Sequence, residues 1–301
     1  MRVLITGATG FIGRRLCELL AEDGHELVAL SRSPEGARSK VPQLAAAFAW
    51  DPLAAAAPTA AIEGVDAVVH LAGESVSGRW TKKRMQAIRD SRELGTRHLV
   101  ETIAAADPRP RVLVAASAIG FYGDRGDEAL TEESGPGDDF LAEVCRAWEH
   151  ESGRAEELGM RRVSLRIGVV IGAGGGALEA MLPPFKMGVG GPMGSGRQWW
   201  SWVHRDDLVA MIRRALADNS LAGVYNATSP QPLRQKEFGK VLGKVLRRPA
   251  FMPTPAFALK LALGGFSTEL LSSKRVLPAR LEEAGFEFRH ADLESALREA
   301  L

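Results

Sequence analysis

Short apolar runs recur along the chain at Val3–Ile5, Leu27–Leu30, Ala67–His70, Val112–Ala116 and Val163–Ile167. Each is a few residues long and lacks the apolar–polar alternation of a half-exposed strand, as expected for strands covered on both faces. Between them, Arg14–Glu22 and Gly95–Ala106 return their apolar residues at helical spacing. Strand–helix alternation predicts a parallel sheet wound by right-handed crossovers, with helices on both faces. The fold class expected is therefore α/β, a doubly wound parallel sheet. The Ala-rich stretch Leu53–Gly64 reads as a surface helix or loop.

The pattern changes after about Gly168. Glycine and proline punctuate GAGGGALEAMLPPFKMGVGGPMGSG, and a tryptophan cluster, a helix over Asp206–Ala217 and a strand over Gly223–Ala227 follow. The remainder, Lys236–Leu301, reads as mostly helical. The chain divides on this basis into residues 1–235, with 170–205 serving the substrate side, and a small, mostly helical C-terminal domain over 236–301.

The first strand and the first helix, Phe11–Leu20, are joined by TGATGFIG, with Gly7, Gly10 and Gly13 in steps of three. Glycines at such a junction permit a tight turn, let backbone N–H groups approach a pyrophosphate and let helix and strand pack closely. The positive end of the helix then faces the phosphates. Thr9, Phe11 and Ile12 belong to the same turn. A dinucleotide site that takes NAD usually places Asp or Glu after the second strand, against the ribose 2′-hydroxyl. Here that strand ends ALSRS, and Ser31 and Arg32 occupy the place. A guanidinium suits a 2′-phosphate, so NADP(H) is the cofactor expected.

Composition narrows the partners. The formal net charge of +1 gives no global field for nucleic acid or an anionic membrane. No apolar run approaches the roughly 20 residues that span a bilayer, and the strand starting at Arg2 leaves no room for a signal peptide. Two cysteines, Cys17 and Cys145, suit a reducing compartment. The expectation is a cytoplasmic protein with a small-molecule substrate, without nucleic-acid or membrane partners.

TGATGFIG, HLAGES (His70–Ser75), SAIGFYG (Ser117–Gly123), LRIGVVIG (Leu165–Gly172) and WVHRDDL (Trp202–Leu208) occur in the order seen in the extended short-chain dehydrogenase/reductases, the epimerase and dehydratase superfamily. More closely, the chain resembles an atypical "epimerase family protein" branch that carries a small C-terminal domain of unknown function. LAGE followed by Arg79–Trp80, the pairs Ser91–Arg92 and Gly95–Thr96, and RIGVV followed by GGAL carry that likeness. The resemblance implies a Rossmann-like sheet of about seven strands and a cofactor lying along Leu71, Ala72, Gly73 and Glu74, with Arg79 beside them. Ile167 and Gly168 would lie near the nicotinamide. It also leaves a homodimer, built through two helices per subunit, as an assembly open to the chain.

The chemistry departs from the family. Typical members carry Tyr-x-x-x-Lys on a helix, the tyrosine acting as acid/base. The only tyrosines here, Tyr122 and Tyr225, are followed four residues on by Gly126 and Ser229. On DDFLAEVCRAWEHE the pair becomes Leu141 and Cys145 or, one residue earlier, Phe140 and Val144. What remains is Ser117, where the family polarises substrate oxygen, although Ala118 is the alternative register; Arg92, in place of the family's asparagine; Cys145; and Tyr122. These four are the candidate catalytic residues. Trp199, Trp200, Trp202 and Arg197, with the glycine-rich loop before them, form the candidate substrate wall. Two functions fit: an NADP(H)-dependent oxidoreductase or epimerase-like enzyme on a small polar carbonyl or sugar-like compound, or a non-catalytic NADP(H)-binding sensor or scaffold.

Overall fold

In the computed structural model, which describes residues 1–301, seven parallel strands form the central sheet: β1 (Arg2–Thr6), β2 (Glu26–Ser31), β3 (Leu44–Ala49), β4 (Ala67–His70), β5 (Val112–Ala118), β6 (Arg161–Ile167) and β7 (Gly223–Ala227). Their order is β7-β6-β5-β4-β1-β2-β3. The chain builds outward from β1 through β2 to β3, returns to the other side of β1 at β4, and builds outward again. The strand order reverses between β1 and β4, so the crevice at the carboxyl ends of these two strands is the ligand position of this topology.

Each of the expected strands is present. β3 was not expected: its sequence LAAAFA has little β preference, and it forms because the edge of β2 offers it a ladder, Leu30 opposite Phe48 and Ser31 opposite Ala49. Leu53–Gly64 holds turns and one 3-10 turn at Thr59–Ala61, and Ala57, Ala61 and Ile62 are buried beside Trp50 rather than solvated.

Helices α1 (Phe11–Glu22) and α6 (Arg205–Ala217) cover one face, with Leu16, Leu20, Leu208 and Ile212 fully buried against β1, β5 and β6. Helices α3 (Lys82–Ala104) and α4 (Phe140–Glu157) cover the other, where Leu99 and Ile103 of α3 pack on Leu4 and Leu113. Between them, α2 (Pro34–Lys40) links β2 to β3. Beyond β6, α5 (Gly176–Lys186), α7 (Gln235–Leu246), α8 (Ala256–Leu263), α9 (Phe266–Leu271), α10 (Ala279–Glu283) and α11 (Leu293–Ala300) follow. Trp200, Trp202, Phe238, Leu242 and Leu297 form a separate core there.

This C-terminal part is laced to the sheet domain. Arg275–Val276 pairs in parallel with Ala129–Leu130. The Ser201 hydroxyl donates to the Lys274 carbonyl and accepts from the Val276 amide, both at 2.8 Å. The buried Asp207 carboxylate accepts the Arg289 and His290 amides at 3.0 Å each.

The turn between β1 and α1 is closed so tightly that a Cβ on residue 13 would stand 2.2 Å from the Gly7 carbonyl oxygen. Gly7 itself has φ of +74°, and a Cβ there would stand 2.9 Å from the Leu71 carbonyl carbon at the end of β4. Gly13→Ala must push α1 off β1, and overpacking of this kind costs about 1 to 3 kcal/mol. The urea midpoint of Gly13→Ala should fall accordingly, whereas Gly24→Ala, with open space around its Cβ, should show only the milder cost of its positive φ.

Candidate functional site

At the β1/β4 crevice lies a cleft of about 510 Å³, lined by Gly7–Gly10, Leu30–Ser33, Gly36, Ala37, Lys40, Trp50–Leu53, Leu71–Glu74, Ala87 and Ser91. It therefore brings together Gly7, Thr9, Gly10, Ser31, Arg32, Leu71, Ala72, Gly73 and Glu74 of the expected cofactor residues. Phe11, Ile12 and Gly13 stand behind its floor in α1. Ile167 and Gly168 lie at the end of β6, where a Cβ on Gly168 would meet the Ser201 carbonyl at 2.6 Å. Arg79 points elsewhere, donating to the Leu261 carbonyl of α8 at 3.3 Å.

The floor is shaped for an anion. Serine, threonine or aspartate caps α2, α3, α4 and α11 through a side chain, but Gly10 caps α1 with none, and the first turn of α1 holds no acid. Its unpaired N–H groups are left for a ligand. A side chain on residue 7 or 13 would fill the cradle. At the far end, Arg32 and Lys40 are exposed and take part in no ion pair. Lys40, on the last turn of α2, was missed in the sequence; its separation from Arg32 closes only when α2 folds back along β2.

The wall after β4 is held by α3, which gives the Ser91–Arg92 and Gly95–Thr96 pairs a physical meaning. The Thr6 hydroxyl accepts the Ala72 amide at 3.1 Å and lies 2.7 Å from His70 Nδ1. On the other side of the ring, His70 Nε2 lies 3.0 Å from the Thr96 hydroxyl, so both ring nitrogens are hydrogen-bonded. Ser91 Oγ accepts the Glu74 amide at 2.9 Å, and Arg92 Nη1 donates to the Glu74 carbonyl at 3.0 Å. The HLAGES loop is thus pinned at His70, Ala72 and Glu74. Gly95 is required where α3 crosses Pro52, 3.2 Å from where its Cβ would stand.

Arg92 also donates to the Ile88 carbonyl, stacks 5.0 Å from the Trp148 ring, and lies against the Gly73 backbone. Its Nη2 makes no hydrogen bond within the chain. Cys145 is 2% exposed, and burial first, then the Glu149 charge, pushes its thiol up to about 12. Burial thus favours the neutral thiol over the thiolate. Leu141 is buried with its Cβ against Gly120, so the Leu141–Cys145 register puts an apolar residue and a thiol beside the end of β5.

Ser117 and Tyr122 belong to a network that the sequence did not disclose. The Ser117 hydroxyl donates to Glu149 Oε1 at 2.6 Å instead of opening to the cleft. Arg166, on β6, makes a bidentate pair with the same carboxylate, 2.8 Å on each oxygen, with side-chain exposures of 5% and 12%. Its Nη1 donates to the Tyr122 hydroxyl at 3.0 Å, which donates to Asn226 Oδ1 at 2.6 Å. Asn226 Nδ2 then donates to the Leu277 carbonyl. The guanidinium stacks 3.4 Å over Phe121. Burial works against the Arg166 charge, but the Glu149 bonds outweigh it and its pKa is raised. Tyr122 is fully buried, and burial raises its pKa. By strand alternation, Ala118 rather than Ser117 is the half-exposed residue at the end of β5.

Of the tryptophans expected to form a substrate wall, Trp200 and Trp202 are instead core residues, and Trp199 is half-buried between Arg234 and Arg275, 4.1 and 4.9 Å from its ring. His204 caps α6 by accepting the Asp206 amide.

A family model for the NAD dependent epimerase/dehydratase family matches residues 3–227, and one for a domain of unknown function, DUF1731, matches residues 254–300. The chain belongs to the NAD dependent epimerase/dehydratase family. It is 44% identical to the chloroplastic epimerase family protein SDR39U1 homolog of Arabidopsis thaliana over 99% of this chain and 86% of that protein. It is 38% identical to the epimerase family protein YfhF of Bacillus subtilis over 100% and 98%. The crystal structure of human epimerase family protein SDR39U1 (isoform 2) with NADPH superposes with a TM-score of 0.89 at 34% identity, covering 100% of this chain and 99% of that one.

Two outcomes follow from this geometry. Burial, and then the Arg92 charge, lowers the His70 pKa to about 4, against about 6.5 when unfolded. The unfolded chain binds this proton first, so the stability it confers is whole above pH 6.5 and is lost as pH falls towards 4. His70→Gln should flatten the dependence of unfolding free energy on pH between 6.5 and 5 by up to about 1.4 kcal/mol per pH unit. Arg166→Met leaves Glu149 buried without its cation, which should cost about 3 to 5 kcal/mol in urea denaturation. Adding Glu149→Met should recover part of that loss.

Proposed function

We propose that the chain is an NADP(H)-dependent oxidoreductase or epimerase-like protein acting on a small polar carbonyl or sugar-like substrate. The observation that carries the cofactor reading is the pair of unpartnered cations, Arg32 and Lys40, at the 2′ end of a cleft whose other end is an uncapped helix. A carboxylate bound to a ribose 2′-hydroxyl has no counterpart at the end of β2. The human relative crystallised with NADPH supports the same assignment.

Gly7, Gly10 and the α1 amides would hold the pyrophosphate, Ser31, Arg32 and Lys40 the 2′-phosphate, and Leu71–Glu74 the stretch towards the nicotinamide. When bound, the cofactor supplies or accepts a hydride at the nicotinamide ring. Near it, Arg92 is the polar group with a donor to spare. Its Nη2 would orient and polarise a substrate oxygen, with water completing the proton transfer. Ser117 and Tyr122 would act as positioning residues through Glu149 and Arg166, and Cys145 as a neutral thiol packed beside the site. A specific observation favours the second reading, a nicotinamide-binding sensor: Leu141 and a protonated Cys145 supply no acid/base pair.

Arg32→Ala should weaken NADPH binding by about ten- to a hundredfold, as expected for losing a charge-assisted phosphate contact, while leaving NADH binding unchanged. Titration calorimetry with both cofactors checks it, and an unchanged ratio would defeat the 2′-phosphate assignment. NADPH consumption across a panel of aldehydes, ketones and keto-sugars, lost in Arg92→Met with cofactor affinity retained, separates enzyme from sensor.

A further inference from the structure

Six of the nine large hydrophobic side chains that the chain exposes lie together on its C-terminal part: Met187, Val189, Phe251, Met252, Phe257 and Leu261. The segments carrying them run side by side, the Met252 amide donating to Gly190 and the Thr254 amide to Pro192. Helix α8 continues from there as AFALKLAL, with only Leu259 buried. Phe257 and Leu261, one turn apart, form an outward stripe. Exposures of 71% for Met187, 74% for Phe251, 73% for Phe257 and 75% for Leu261 mean that these side chains project instead of lining a groove. A patch of this kind is not the scatter of single apolar residues normal for a surface.

The segments that carry it are basic, with Lys244 alone of their α7–α8 cations paired, to Glu294 of α11. From Phe238 to Thr268 there are five basic residues and no acid, and from Ala180 to Arg205 three basic residues and no acid. Lys186, Arg247, Arg248 and Lys260 are exposed and have no ion-pair partner. Arg79, exposed and bonded to the Leu261 carbonyl at 3.3 Å, adds a further cation beside α8. The net charge of +1 averages this face away, and no helix is long and apolar enough to cross a membrane. The expectation of no membrane partner rested on those two quantities, and neither reads a local surface.

We propose that this face docks on the surface of an anionic lipid bilayer, with the Phe and Leu side chains of α8 and the Phe251 loop entering the headgroup–acyl boundary and the flanking Lys and Arg residues meeting lipid phosphates. Apolar projections ringed by unpaired cations are the chemistry of interfacial binding. A second copy is the poorer occupant, because a two-fold contact would set the same unpaired cations against one another.

The full-length chain is sedimented with vesicles of phosphatidylcholine alone and of phosphatidylcholine mixed with phosphatidylglycerol. Binding should need phosphatidylglycerol, weaken with salt, and fall roughly tenfold or more in Phe257→Ser/Leu261→Ser, with a comparable fall in Arg248→Glu/Lys260→Glu. Both variants should keep their circular dichroism and their NADPH affinity, since none of these residues lines the cofactor cleft. No binding of wild-type chain to the mixed vesicles at low salt overturns the proposal. So does a wild-type dimer in sedimentation velocity that Phe257→Ser/Leu261→Ser dissociates, which assigns the patch to self-association. Binding to a soluble acidic polypeptide but not to vesicles assigns it to a protein partner and overturns it equally.

Discussion

The fold depends on how closely α1 can approach β1. The carbonyl of Gly7 occupies the space that any side chain at residue 13 would need. Because the helix starts that close, its bare amino end looks directly into the crevice where the strand order reverses. That end would be weaker as an anion site with a serine or aspartate cap, since the cap would consume the amides. Three glycines thus set a steric limit and an electrostatic one together. The HLAGES wall is placed to match, with Thr6 of β1 binding the Ala72 amide on one side and His70 on the other.

Much of this is legible in the chain. Six of the seven sheet strands announce themselves by apolar content, because burial on both faces leaves little choice of residue. β3 does not, since an edge strand needs only a partner ladder and its alanines carry no signal. The nucleotide end of the cleft is legible for a similar reason: glycine spacing and a basic residue after β2 are local facts. Lys40 is not, because it reaches the cleft only through the fold of α2. The motif Ser91–Arg92 with Gly95–Thr96 is visible as a pattern, but its purpose appears only when α3 lies across the end of β4.

The end of β5 shows where spacing misleads. Ser117 stands where a family hydroxyl is expected, and one residue of strand register turns it towards α4 and Glu149. That carboxylate, nine residues after Phe140, gives no sign in the sequence of its pairing with Arg166 on another element. The resulting chain of bonds runs from β5 through α4, β6 and Tyr122 to Asn226 and the Leu277 carbonyl. Charges this deep are costly unless each is matched, so the positions cannot vary one at a time. The network adds one more link between the sheet and the C-terminal segment, beside those made by Ser201 and Asp207.

Phe11 has a role beyond its place in the glycine turn. Its ring lies under Gly172, Gly175 and Gly176, close enough that a Cβ on any of them would stand 2.6 to 3.1 Å from it, and the Arg205 guanidinium lies 4.9 Å from its centroid. The first helix and the loop leading into α5 therefore share one contact surface. Any displacement of the first helix is transmitted through a single aromatic ring to the segment that enters α5.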